Sequence, residues 1–389
     1  MTKLRKKTHG TNLHSLGILH NQTWNFQCFL AWFSKNAFFS YLCTMKRMFN
    51  EVKPIIAGPC SAESEEQILK TAEFLAIKTA VKTLRAGVWK PRSRPGEFEG
   101  HGEKALQWLQ SAKEKFGLSI AVEVATSEHV ELCLKYSIDT VWLGARTTGN
   151  PFLVQEIADT LKGSDMSVMV KNPLNPDWAL WLGAIERLEK SEITNIIAVH
   201  RGFSTNQNSQ FRNSPMWEIP IEIKCRRPDL KIYCDPSHIA GRADLVFSVA
   251  QRAFDMAMDG LMIELHPDPK HALTDTFQQL NFSEFEQLVS QLVEKETHGQ
   301  HRELEQMRAI IDDLDEELIA TLAKRLKMVE KIGDYKCKNN ISVLQLDRWK
   351  NVLESCIIIG KKQNLNEDFL LKLWTTIHAE ALRIQEKAE

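Results

Sequence analysis

Cys60, His238, Glu264 and Asp275 offer a thiol, an imidazole and two carboxylates. Brought to one point, a mixed sulfur, nitrogen and oxygen set suits a divalent transition metal (manganese, iron, cobalt or zinc) better than magnesium or calcium, which favour oxygen alone. A second set is cationic: Arg85, Lys90, Arg92, Arg146, Lys171 and Arg201. Cations around one site repel one another unless anions sit among them, and planar guanidinium groups take phosphate and carboxylate bidentately. The substrate, or pair of substrates, should therefore carry several negative charges. Glu123 could orient a water or a lysine there. Taken singly, each residue is equally well a solvated loop charge, a buried free cysteine or a satisfied core histidine. Their joint placement decides against that.

The elements that position them are legible from residue 54 onward. Short apolar runs rich in β-branched residues fall at 55–57, 81–84, 120–124, 140–143, 168–170, 196–199, 231–234 and 261–265. Stretches of helical spacing lie between most of them, as at 65–78, 103–115, 127–135, 176–189 and 243–258, with a last one at 282–296. Residues 202–229 are the least regular and read as a long loop. The alternation predicts an α/β fold, a parallel sheet closed into a (β/α)8 TIM barrel whose active site lies at the carboxyl ends of the strands. A doubly wound open sheet is the alternative, but the glycine fingerprint of a dinucleotide site is absent. The run ends, in order, give Cys60, Arg85, Glu123, Arg146, Lys171, Arg201, His238 and Glu264, with Lys90 and Arg92 soon after the second. Strands one and eight are neighbours in a closed barrel, so Cys60, His238, Glu264 and Asp275 can converge.

Beyond residue 296 the strand pattern stops. The predicted organisation is an extension at 1–50, the barrel at 51–296, a polar linker at 297–303 and a small all-α three-helix domain at 304–389. Leu304, Met307, Ile311, Leu314, Leu318, Leu322, Val329 and Ile332 form a helical stripe longer than the ~25 residues of an ordinary globular helix, so a bundle or a partner copy must cover it. A second helix spans 346–359, and a third begins near Asn366, a plausible cap. Arg325 and Lys336 are close to three turns apart and point the same way, ~16 Å from each other. Arg308 points about a quarter-turn aside, and Arg348 and Gln385 come from the other two helices. The alternative is a charged solvent face.

The extension is basic at its start and then aromatic, with Trp24, Phe26, Phe29, Trp32 and Phe33. Lys35 and Asn36 break the apolar run short of the ~20 residues of a membrane span, so the segment is expected to add nothing to the fold, to be poorly ordered, and to precede a working start at Met45 or Met48. A formal net charge of -1 points to neither nucleic acid nor an acidic membrane. The eight cysteines contain no CxxC pair, which fits a reducing cytoplasm.

The motifs "IAGPCS", "RAGVWKPRSRP", "VWLGARTTGNP", "VMVKNP", "AVHRGFST", "YCDPSHIAGR" and "DGLMIELHPDPKHALTD" together resemble the bacterial-type I 3-deoxy-D-arabino-heptulosonate 7-phosphate (DAHP) synthases. The resemblance implies phosphoenolpyruvate and erythrose 4-phosphate as substrates, and a metal held by Cys60, His238, Glu264 and Asp275. It implies Arg85, Lys90, Glu123, Gly144, Ala145, Arg146, Lys171 and Arg201 around phosphoenolpyruvate, with Lys90, Pro91, Arg92 and Ser93 meeting erythrose 4-phosphate. The octulosonate 8-phosphate and sialic-acid-type synthases share this machinery; the "KPRS" run favours the four-carbon sugar. A non-enzymatic carbohydrate-binding barrel is the contrasting expectation and would need no metal set.

The tail, through "MRAIIDDLDEELIATLAKRLKMVEKIGDYK", "LDRW" and "IHAEALRIQ", resembles the all-helical chorismate mutases. By that resemblance Arg308, Arg325, Lys336, Arg348 and Gln385 surround a dicarboxylate, chorismate rearranges to prephenate, and the chain forms a homodimer or higher oligomer in which Arg308 reaches the partner's site. Gln345, Trp349 and Ala381 depart from positions that are often aspartate, glutamate and serine in relatives. The alternatives for the tail are a chorismate- or prephenate-sensing regulatory and dimerisation module with little turnover, and a plain dimeriser.

Overall fold

The computed structural model describes residues 53–91, 96–205, 209–294 and 302–386. The expectations for residues 1–50, for Arg92 and Ser93, and for the linker before residue 302 fall outside them. The chain divides between Thr297 and His298 into two compact units.

The first unit is a closed barrel of eight parallel strands in sequence order: β1 Ile55–Gly58, β2 Thr83–Ala86, β3 Ser119–Val124, β4 Thr140–Leu143, β5 Ser167–Lys171, β6 Ile196–His200, β7 Lys231–Cys234 and β8 Gly260–Glu264. β8 pairs with β1 from Ile55↔Leu261 to Gly58↔Glu264 and so closes the ring. Strand alternation sorts the side chains into two layers. Ile56, Ala121, Trp142, Met169, Val199, Tyr233 and Met262 fill the interior as one apolar cluster. Their sequence neighbours Ala57, Ile120, Val122, Val141, Val168, Ala198 and Ile263 face outward into the larger core shared with the helices.

The helices around the sheet are α1 Glu65–Lys78, α2 Glu103–Phe116, α3 Ser127–Lys135, α4 Ala145–Thr148, α5 Pro151–Leu161, α6 Trp178–Lys190, α7 Glu218–Arg226, α8 Pro236–Ala240, α9 Ala243–Asp255 and α10 Phe282–Gln291. Several start where the sequence supplies a cap. Ser64 accepts from the Gln67 amide, Asn150 accepts from Phe152 and Leu153 ahead of Pro151 at the first helical position, and Asn281 forms a reciprocal capping box with Glu284.

Two expectations are corrected. The irregular stretch 202–229 carries α7, whose Pro220 looks like a breaker but lies in the first turn, where no intrahelical donor is lost. The second strand lies two residues later than its apolar run, because it continues through Arg85, whose buried charge reads in sequence as a strand end.

The second unit is α11 Arg302–Lys338, α12 Leu346–Lys362 and α13 Glu367–Glu386. Asn366 accepts from the Phe369 amide at 3.0 Å and caps α13 as expected. α13 packs on both other helices. Gly360 permits the α12–α13 approach, since a Cβ there would stand 2.5 Å from Leu370 Cδ1. Among the described residues no helix is long and apolar enough to cross a membrane.

Candidate functional sites

Continuing the inward-facing register by one step past the apolar layer gives the floor of the barrel mouth. Glu123, Lys171, Arg201, Asp235 and Glu264 stand two residues beyond Ala121, Met169, Val199, Tyr233 and Met262, and Arg85 joins them from β2. Most are buried: Arg85 is 1% exposed, Lys171 5%, and Asp235 and Glu264 0%. Charges this deep persist only when paired. Arg85 Nη2 lies 3.2 Å from Glu264 Oε1, and Lys171 Nζ donates to Asp235 Oδ2 at 2.8 Å. Both cations also lie over the Trp142 ring, at 4.9 and 5.6 Å from its centre. The mouth is therefore not a bare ring of cations. Part of its counter-charge is the chain's own, in Glu123, Asp235 and Glu264.

The metal-ligand candidates come together in large part. Atoms of Cys60, Glu264 and Asp275 all lie within 4.8 Å of one another. Cys60 Sγ is 3.2 Å from Asp275 Oδ2, and Lys90 Nζ donates to the same sulfur at 3.1 Å. His238 stands at the edge of this group, with Nε2 3.8 Å from Glu264 Oε1 and Nδ1 2.8 Å from Asp235 Oδ2. Asp275 takes a left-handed backbone (φ 47°), which aspartate tolerates better than most residues, and Arg212 donates to its Oδ1 at 2.8 Å. Burial, with Glu264 nearby, pushes the Cys60 thiol up, against the pull of Lys90. Burial would raise Asp235 and Glu264 too, but His238 and the cations beside them hold both below their ordinary range, Asp235 far below. Asp275 is held low in the same way by His238, Arg212 and Lys90.

The remaining barrel candidates line the same mouth. Burial works against the Lys90 ammonium, yet Cys60 and Glu123 carry its pKa upward. Arg201 donates to Asn213 Oδ1 at 2.8 Å; burial, with Arg212 and Arg146 nearby, lowers it to about 10. Arg146, at the start of α4, donates to the Pro91 carbonyl at 2.8 Å. Gly144 caps α4, and a Cβ there would stand 2.2 Å from Glu123 Oε1, so any larger residue must displace that carboxylate. Ala145 follows it. Three residues of this site were not singled out from sequence: Asp235, Arg212 and Gln278, which donates to Glu264 Oε2 at 2.6 Å. Asp235 carries a signal, its place two residues past inward-facing Tyr233. Arg212 and Gln278 lie in irregular loops and carry none.

In the helical unit Arg325 of α11 lies 5.8 Å over the Trp374 ring of α13. Its Nη1 is shut off from solvent with no hydrogen-bond partner, as is Gln385 Oε1. Lys336 Nζ donates to the Val343 carbonyl at 2.6 Å, and burial lowers its pKa. Arg308 is exposed and pairs with Glu305 one turn earlier at 2.6 Å. Arg348 is exposed at the start of α12. Arg325, Lys336 and Gln385 thus belong to the packed part of the unit, whereas Arg308 and Arg348 stand at its surface.

Residues 50–301 match the DAHP synthetase I family, and residues 307–386 match chorismate mutase type II. A phospho-2-dehydro-3-deoxyheptonate aldolase from Thermotoga maritima is 34% identical over 61% of this chain and 68% of its own length. A crystal structure of the aldolase of that name from T. maritima superposes with a TM-score of 0.56 at 33% identity, over 62% of this chain and 68% of the other. For the tail, a bifunctional chorismate mutase/prephenate dehydratase from Buchnera aphidicola subsp. Schizaphis graminum is 36% identical over 21% of each chain.

Proposed function

Because the chain belongs to the DAHP synthetase I family and ends in a chorismate mutase type II domain, we propose that it catalyses two reactions. The barrel condenses phosphoenolpyruvate, erythrose 4-phosphate and water to DAHP and phosphate, and the helical unit rearranges chorismate to prephenate. The observation that carries the first is a thiol–carboxylate cluster set directly beside paired, buried cations at the carboxyl end of the barrel.

The donor set fits a divalent transition metal. It joins sulfur, nitrogen and oxygen, and Glu264 Oε1 is buried without a hydrogen bond. Cys60, His238, Glu264 and Asp275 would hold the ion. When bound, it supplies Lewis acidity toward the aldehyde oxygen of erythrose 4-phosphate. The chain's own side chains do the rest. Arg85, Arg146, Lys171 and Arg201 bind and orient the phosphate and carboxylate of phosphoenolpyruvate, against the backbone of Gly144 and Ala145. Lys90, Pro91, Arg92 and Ser93 receive erythrose 4-phosphate. The methylene carbon of phosphoenolpyruvate bonds to the aldehyde carbon. Glu123 and Lys171 position the water that adds to the resulting cationic carbon, and phosphate leaves. Fixed charges at these points need little reorganisation during reaction.

In the helical unit Arg325 and Lys336 hold the two carboxylates of chorismate, and Gln385 and Arg348 bind beside the breaking ether bond. No nucleophile is needed. Met307, Ile310, Ile311, Leu314 and Leu318 on α11 are each more than half exposed, an apolar stripe that a second copy would cover. We infer a homodimer through this face, with Arg308 reaching the partner's site. A reducing, cytoplasmic setting suits a site that depends on a free thiol at Cys60.

Phosphate release and loss of chorismate absorbance, measured on one preparation of the full chain, test the proposal. Both reactions are expected, and a chelator should stop the first while sparing the second. Phosphate release that survives metal removal would refute the metal's role. Gly144→Ala is expected to slow phosphate release on the order of 10²-fold, because the new methyl displaces the Glu123 carboxylate by about an ångström. Unchanged turnover in that variant would remove Glu123 from the reaction.

A further inference from the structure

His378 carries a polar atom that the reading above leaves unused. It lies on α13, where Trp374, His378, Ala381 and Gln385 recur at helical spacing on one face. That face includes the Trp374 ring under Arg325 and the buried Gln385. The imidazole stacks on Trp349 of α12, ring centres 3.9 Å apart and planes within 7°. Its Nε2 is shut off from solvent and has no hydrogen-bond partner, as is true of Arg325 Nη1 and Gln385 Oε1. Three unpartnered polar atoms enclosed in one small three-helix unit are costly unless a ligand satisfies them.

We propose that His378 is a further substrate-binding residue of the helical site: its Nε2–H donates to an uncharged oxygen, ether or hydroxyl, of the dicarboxylate held by Arg325 and Lys336, while Trp349 fixes the ring. This rests on the mutase reading. Burial, with Arg325 and Lys336 as neighbours, lowers the imidazole pKa and so favours the uncharged ring. A neutral donor beside two cations adds no third positive charge, so it suits an ether or hydroxyl oxygen of a ligand whose two carboxylates are already matched by Arg325 and Lys336. The Trp349 stack orients the ring without consuming Nε2.

Two substitutions in the full chain separate this role from simple packing. His378→Phe keeps a ring for Trp349 and removes the donor. His378→Gln loses the stack and keeps an amide N–H near the Nε2 position. The expected result is a fall of at least about tenfold in kcat/KM for chorismate in His378→Phe, with His378→Gln within about threefold of the parent and phosphate release unchanged in both. A His378→Phe variant as active as the parent, or a His378→Gln variant impaired more than His378→Phe, overturns the inference and leaves the mutase reading intact. A parent chain that does not consume chorismate overturns both.

Discussion

Arg325→Ala is expected to lower chorismate turnover by roughly 10²–10³-fold, the loss typical of removing one preorganised charged donor from a site, while phosphate release from phosphoenolpyruvate stays at the parent rate. The magnitude follows from placement. Arg325 Nη1 has no protein partner and no solvent, so its charge is held ready for an anion, and the Trp374 ring fixes the guanidinium plane from one side. Rearrangement without a nucleophile depends on such fixed charge, which favours the compact, polarised transition state over the extended ground state. Alanine removes the charge and leaves the Trp374 ring facing a small void, so a modest loss of helix packing accompanies the effect. Thermal unfolding of the variant separates that loss from the catalytic one. Lys336 does not substitute for Arg325, because its ammonium, anchored on the Val343 carbonyl, is assigned to the other carboxylate. If the variant keeps full turnover, Arg325 does not contact the dicarboxylate and the helical unit would be better read as a sensor. If phosphate release falls together with chorismate loss, the two units work on one another rather than independently.

The barrel was legible because its strands are short, apolar and separated by helices that carry their own caps. Boundaries failed where a charge was buried. Arg85 belongs inside β2, yet in sequence a charge reads as the end of a strand; only the pairing with Glu264, contributed from β8, explains how it can be buried there. The site was legible for a related reason. Alternation places Glu123, Lys171, Arg201 and Glu264 directly above the apolar interior, so each charged residue at a run's end already pointed into the mouth. The same rule, applied to Tyr233, would have found Asp235, which bridges Lys171 and His238. Taking His238 as the residue at the carboxyl end of the seventh run passed over it. Arg212 and Gln278 were out of reach. They act on Asp275 and Glu264 across loops, and no local pattern ties residues so far apart in the chain. Nor did the sequence show that the cations would be partly neutralised from within. Charge sign is local, but pairing is a property of the closed ring.

The second large effect belongs to Cys60. Cys60→Ala should lower metal affinity by more than about 100-fold, the upper end of what loss of a mere outer partner costs, and should bring phosphate release to background while chorismate loss continues. The thiol is fully buried and central: Asp275 stands 3.2 Å away, Lys90 3.1 Å, and its backbone amide donates to Gln279 at 2.9 Å. Alanine keeps that amide bond, so the loop after β1 holds its path and the barrel folds. What disappears is the one soft ligand in the set, and with it the preference for a transition metal over magnesium. The Lys90 ammonium loses its sulfur partner but keeps the Cys60 carbonyl at 3.4 Å and the nearby Glu123, Glu264 and Asp275 carboxylates, which then satisfy a cation from within rather than a metal. Elemental analysis after dialysis, run beside both activity assays, reads the three consequences separately. Cys60→Ser sharpens the comparison, since a hydroxyl restores shape and polarity but not a soft anionic donor. It should resemble Cys60→Ala in metal content. A Cys60→Ala protein that retains stoichiometric metal and releases phosphate at the parent rate would place the ion elsewhere. His238, Glu264 and Asp275 would then be counter-charges for the arginines and lysines of the mouth, and the cation layer alone would carry the site.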